Sequence, residues 1–108
     1  MNLHYKHKRE DDICYLYLAG EVDAYTAPEL RKQLLPLTEE EGQVVVVDLS
    51  ELTYIDSTGL GIFIGALKSS HQHQSKLKLV GVRSRVKRLF TITGLDEVID
   101  IDEERERA

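Results

Sequence analysis

The spacing of apolar residues divides this chain into strands and helices before any chemistry is considered. Leu3 and Tyr5 alternate with polar, mildly basic neighbours up to Glu10-Asp11-Asp12, which predicts an exposed edge strand and a turn. Residues 13–19 place Cys14, Leu16 and Leu18 on one face and Ile13, Tyr15 and Tyr17 on the other, with Gly20 breaking the run. This predicts a second strand, paired to the first as a hairpin. Thr26-Ala27-Pro28-Glu29 has the spacing of a capping box, with proline in the tolerated first turn. Leu30, Leu34 and Leu37 then recur at helical intervals. The β-branched run through Val44, Val45, Val46 and Val47 to Asp48 and Leu49 predicts a central strand covered on both faces.

Leu60, Phe63, Ile64 and Leu67 follow the i, i+3, i+4, i+7 pattern of an amphipathic helix that begins near Ser57 and ends before a polar loop at 69–75. Leu77, Leu79 and Val80 mark a fourth strand. After Gly81 a short helix from Ser84 carries Val86, Leu89 and Phe90 and stops near Gly94. Val98-Ile99 fits either a last short strand or a final helix, and the charged stretch 100–108 is expected to fray. The order β-β-α-β-α-β-α defines an α/β fold with a mixed sheet, an initial hairpin followed by parallel crossovers packed with helices. One domain over residues 1–108, with a frayed tail at about 101–108, accounts for the whole pattern.

Composition narrows the setting. A net charge of −5 gives no general affinity for nucleic acid or anionic membrane. Cys14 is the only cysteine, so no intrachain disulfide or thiolate zinc site can form, and a reducing cytoplasm is the expected location. The N-terminus lacks the apolar core of a signal peptide, and no apolar run is long enough to span a bilayer.

The candidate chemistry lies in Tyr54-Ile55-Asp56-Ser57-Thr58-Gly59-Leu60-Gly61, where a strand gives way to a helix. A helix start presents unpaired N–H groups and partial positive charge, so a serine there can carry a phosphate without disrupting the helix. Ser57 is therefore a candidate phosphorylation site. From the motif alone, a plain helix cap by Ser57, Thr58 or Asp56 is an equally good reading. Gly59 and Gly61 would let a partner backbone approach the first turn, and Leu60 could supply an apolar contact or a core contact.

Gly20-Glu21-Val22-Asp23, the core strand at 45–49, Asp56-Ser57-Thr58-Gly59-Leu60-Gly61 and Phe90-Thr91-Ile92-Thr93-Gly94-Leu95 together resemble the STAS domain, and among its members the bacterial anti-sigma factor antagonists. The likeness covers nearly the whole chain in ordered spacing. It implies partner switching. The unmodified antagonist binds an anti-sigma factor that is also a serine kinase, which frees a sigma factor; phosphorylation abolishes binding, and a PP2C-type serine phosphatase restores it. The serine after the motif aspartate is Ser57 in this chain, and the resemblance implies a partner-binding surface of Glu21, Asp23, Asp56, Ser57, Thr58, Gly59, Leu60 and Gly61. It also implies a cytoplasmic, non-enzymatic regulator without cofactor, in general stress response first and sporulation second. A STAS scaffolding module in a larger signalling complex is the alternative.

Other chemistries fit less well. Asp-Ser-Thr-Gly resembles the aspartic-protease signature, but an extra residue separates Asp56 from Gly59 and helical periodicity follows. No nucleophile elbow or triad accompanies Ser57. Gly59, Gly61 and Gly65 form only a loose dinucleotide pattern in a chain short for that fold. His71 and His73 lack further metal ligands nearby, and His4 and His7 have less context still. Six basic residues and no acidic one lie between Lys76 and Arg88, a distribution read as a solvated face rather than a nucleic-acid site.

Overall fold

The computed structural model describes residues 2–104. Strand β1 (Leu3–Glu10) turns at Asp11, in the left-handed region, into β2 (Ile13–Val22). Helix α1 (Ala27–Thr38), strand β3 (Val44–Ile55), helix α2 (Ser57–Gln72), strand β4 (Lys76–Val80) and helix α3 (Ser84–Ile92) follow. A 3-10 turn at Leu95–Glu97 leads into the two-residue strand β5 (Asp100–Ile101). The sheet order is β1-β2-β3-β4-β5, antiparallel only at β1/β2, so the expected mixed sheet with β3 at its centre is present.

This order sets how the two faces of β3 are covered, as the β-branched run predicts. Each parallel strand is added beside the last in the same direction, and right-handed crossovers then place every connecting helix on one face. Leu16, Leu18, Val45, Val47, Leu49, Leu77 and Leu79 point toward that face and pack against Leu30, Leu34, Phe63, Val86 and Phe90 of the helices. Phe63 and Phe90 meet edge to face at 5.8 Å. On the other face, Val46 is buried with Tyr15 and Val80, flanked by Ile13, Tyr17 and Val44, and no helix residue joins this cluster. The stacked rings of Tyr15 and Tyr17 and the Lys8 ammonium over Tyr15 shield it instead. Strand β3 is thus covered by helices on one face and by side chains on the other.

Several boundaries shift. Gly20 does not end β2, which continues to Val22; its φ of 106° and the approach of the Asn2 carbonyl, which a Cβ would strike, require glycine inside the strand. Strand β3 likewise runs past Leu49 to Ile55. The predicted polar loop at 69–75 is helical as far as Gln72. Ser69 and Ser70 are buried there; Thr38 Oγ1 donates to Ser69 Oγ at 2.8 Å and Ser75 Oγ donates to the Thr38 carbonyl at 2.6 Å, tying the ends of α1 and α2 together. The last strand falls at Asp100–Ile101 rather than Val98-Ile99. Of the segment expected to fray, the described part is held: Asp102 N–H donates to the Leu79 carbonyl at 2.8 Å and Gly81 N–H to that of Glu104 at 3.0 Å. Residues 105–108 lie outside the described residues.

Candidate functional site: a docking surface at the strand ends

The C-terminal ends of β2 and β3 are paired through Val22 and Ile55, and Asp56 N–H donates to the Val22 carbonyl at 3.2 Å. The loop 23–26 and the start of α2 therefore lie side by side. Each loop is organised by an aspartate. Asp56, extended at φ −111°, caps α2: its Oδ1 accepts from Thr58 N–H at 2.9 Å and Gly59 N–H at 3.2 Å. Asp23 Oδ1 accepts from Tyr25 N–H and Thr26 N–H, both at 2.9 Å. These backbone bonds, led by that from Thr26, hold the Asp23 carboxyl below its ordinary value.

The expected capping box at Thr26 is replaced by this arrangement. Thr26 makes no side-chain cap to α1; its hydroxyl donates to the Glu21 carbonyl and accepts from Asp23 N–H, which closes the loop on itself. Glu29, the box's other member, accepts from the Tyr5 hydroxyl and from Gln33.

With Asp56 as cap, the hydroxyls of Ser57 and Thr58 are not needed to close the helix, and both residues are exposed. Two N–H groups of the first turn are already taken by Asp56. The remaining motif residues separate by burial. Leu60 is 6 % exposed and belongs to the core. Gly59 is buried as well: an added Cβ would lie 2.6 Å from Val22 Cγ1 and 2.7 Å from Ile55 Cγ1. The missing side chain lets α2 sit against the sheet. Gly61 is exposed with open space where a Cβ would be, one turn beyond Ser57 on the same helix face. Glu21 is half-buried beside Tyr54 across the strand pair.

Sequence reasoning passed over Tyr25, 85 % exposed at the tip of the 23–26 loop, and Tyr54, 44 % exposed just before Asp56. Nothing but their position beside the junction could have marked them.

The other sequence features lie elsewhere. Arg83 Nε donates to the Ser50 carbonyl and Lys87 pairs with Glu103, so part of the basic segment is used in local contacts. His73 Nδ1 lies 2.8 Å from the Ser69 carbonyl at the end of α2. No group of three potential metal ligands occurs among the described residues, and no helix among them is long and apolar enough to cross a membrane. A depression of about 590 Å³ lined by His4, Lys6, Tyr17, Asp48 and Glu51, among others, lies on the helix-free face of the sheet, and none of its lining residues belongs to the junction.

The sequence profile of the STAS domain matches residues 4–108, and the chain belongs to that family. It is 49 % identical over 94 residues to the anti-sigma-B factor antagonist of Listeria monocytogenes, covering 87 % of this chain and 82 % of that one. It is 39 % identical over 103 residues to the anti-sigma-B factor antagonist of Staphylococcus aureus, covering 95 % of each. The crystal structure of an anti-sigma factor antagonist from Mycobacterium paratuberculosis superposes with a TM-score of 0.83 at 22 % identity, over 94 % of this chain and 86 % of that one, a likeness of fold.

Proposed function

We propose that this protein is an anti-sigma factor antagonist: unmodified, it binds an anti-sigma factor with serine kinase activity and so frees a sigma factor, and phosphorylation of Ser57 abolishes that binding. The observation that carries this reading is the division of labour at the α2 start. Asp56 caps the helix, so Ser57 is exposed and structurally unoccupied. The names of relatives that align over most of the chain support the same role.

A phosphate would add about 1.5 to 2 negative charges beside Asp56, whose carboxylate has already spent Oδ1 on the helix N–H groups. Repulsion and bulk then act outward, on whatever docks against the junction, while the fold is left intact. The chain is the substrate in this scheme; the kinase partner brings the nucleotide and a PP2C-type phosphatase resets the switch. Glu21, Asp23, Asp56, Ser57, Thr58 and Gly61 form the docking surface, supported from below by Gly59 and Leu60. The process served is sigma-dependent transcription in the general stress response, within the cytoplasm.

The test is binding of Ser57→Ala and Ser57→Asp to the host's anti-sigma factor by calorimetry. Ser57→Ala is expected to bind like the unmodified protein and to resist phosphorylation, and Ser57→Asp to bind at least about tenfold more weakly, a loss of 1.4 kcal/mol or more. Equal binding by both removes the charge switch. Circular dichroism of the phosphorylated protein is expected to match that of the unmodified form; a large change would mean that the modification acts by unfolding α2.

A further inference from the structure

Five large hydrophobic residues are exposed among those described: Tyr5, Tyr25, Tyr54, Ile92 and Val98. The Tyr5 hydroxyl is bonded to Glu29, whereas those of Tyr25 and Tyr54 make no hydrogen bond among the described residues. Tyr25 stands on the 23–26 loop and Tyr54 on the last residues of β3, the two segments that the Asp56 N–H to Val22 carbonyl bond ties together. Tyr25 is the more exposed, yet its backbone is fixed, because its N–H is held by Asp23 Oδ1. An exposed ring on a fixed backbone loses little entropy on burial, and tyrosine is among the residues that most often dominate binding energy.

The charged residues within segments 20–27 and 52–61 are all acidic. Glu21, Asp23 and Asp56 flank the tyrosines, and none forms an ion pair among the described residues. Both aspartates use Oδ1 for their own loops, which leaves Oδ2 of each without a hydrogen bond among the described residues. Exposed aromatic rings on segments whose own charges are acidic complement an apolar recess bordered by basic side chains.

Resting on the antagonist reading above, we propose that Tyr25 and Tyr54 are the affinity anchors of the complex, with Tyr25 the dominant one, and that the occupant of this surface is the anti-sigma factor, through a basic-rimmed apolar recess that takes the Tyr25 ring. Affinity and switching are then separate properties of adjacent groups. The tyrosines supply binding energy in either state, and Ser57 decides whether the surfaces can close.

Calorimetry of the full chain with the host's purified anti-sigma factor tests this. Tyr25→Ala is expected to weaken binding at least about 30-fold and Tyr54→Ala about tenfold, with Tyr25→Phe within about threefold of wild type. The Tyr25→Ala loss should persist at about 0.5 M salt, where charge screening acts within a few ångströms. Urea midpoints of the three variants are expected to match wild type, since Tyr25 projects into solvent; should Tyr54→Ala lose stability, the Tyr25 pair alone decides. If Tyr25→Ala binds like wild type while Ser57→Asp does not bind, the anchor proposal is overturned and the antagonist reading stands. If wild type itself does not bind the anti-sigma factor, both fall.

Discussion

Adding one methyl group at Gly59 and, separately, at Gly61 should move stability in opposite directions although the two residues are two positions apart on the same helix. Alanine improves on glycine by about 1 kcal/mol in a helix interior. At Gly61 nothing lies within 4 Å of the new Cβ, so Gly61→Ala should realise roughly that gain. At Gly59 the Cβ would meet Val22 Cγ1 at 2.6 Å and Ile55 Cγ1 at 2.7 Å, both on buried β-branched residues at the strand ends. The closest atoms are branch carbons held by a stiff χ1 rather than the mobile Ile55 Cδ1, and overpacking of this kind costs about 1 to 3 kcal/mol. Propensity cancels between the variants, so Gly59→Ala should be less stable than Gly61→Ala by about 1 to 3 kcal/mol. For a domain of this size that is a gap in Tm on the order of 5 to 15 °C. Urea denaturation followed by circular dichroism measures it directly. Equal stabilities, or a more stable Gly59→Ala, would refute the claim that Gly59 sets the distance between α2 and the sheet. The same pair has a second readout: Gly61→Ala, stable but with a methyl group beside Ser57, should weaken anti-sigma factor binding by a few-fold with no loss of fold.

Two further outcomes follow from the aspartates. Asp56→Ala should cost about 0.5 to 2 kcal/mol through loss of the α2 cap, and Asp56→Asn much less, since an amide oxygen can accept the same two N–H bonds; equal losses in urea titrations would show that charge rather than capping matters there. Asp23, held below its ordinary 3.8 in the folded chain, favours folding at every pH well above that value, and this contribution fades as pH falls through its folded pKa. Asp23→Asn should therefore differ from wild type most at neutral pH and converge with it in acid. A difference that stays constant from about pH 6 to about pH 2.5 would contradict the assignment.

The strands and helices were legible wherever a single period ran unbroken, as in residues 13–19 and in the Leu60 to Leu67 helix. Misreadings arose where one residue type serves two purposes. Gly20 reads as a strand end but is present because the Asn2 carbonyl leaves no room for a side chain. Ser69 and Ser70 read as loop residues, but hydrogen bonds to Thr38 and to the Leu67 carbonyl satisfy their hydroxyls inside the fold. The Thr26-Glu29 capping spacing was real in sequence and unused in structure, because Asp23 captured the Thr26 N–H and Tyr5 engaged Glu29. At the junction, spacing located Ser57 at the helix start but could not rank Asp56 against the two hydroxyls as cap. The i, i+3, i+4, i+7 spacing did place Leu60 on the apolar face, where it is buried.

The two borders of the sheet bear on how such a molecule survives in a crowded solution. Strand β1 offers eight residues of outer backbone, long enough for a neighbouring chain to extend the sheet, yet Lys6, Lys8 and Arg9 crowd it with cations. The opposite border, β5, is two residues long and gives an incoming strand almost nothing to grip. One border repels and the other is too short, so neither invites another chain to extend the sheet.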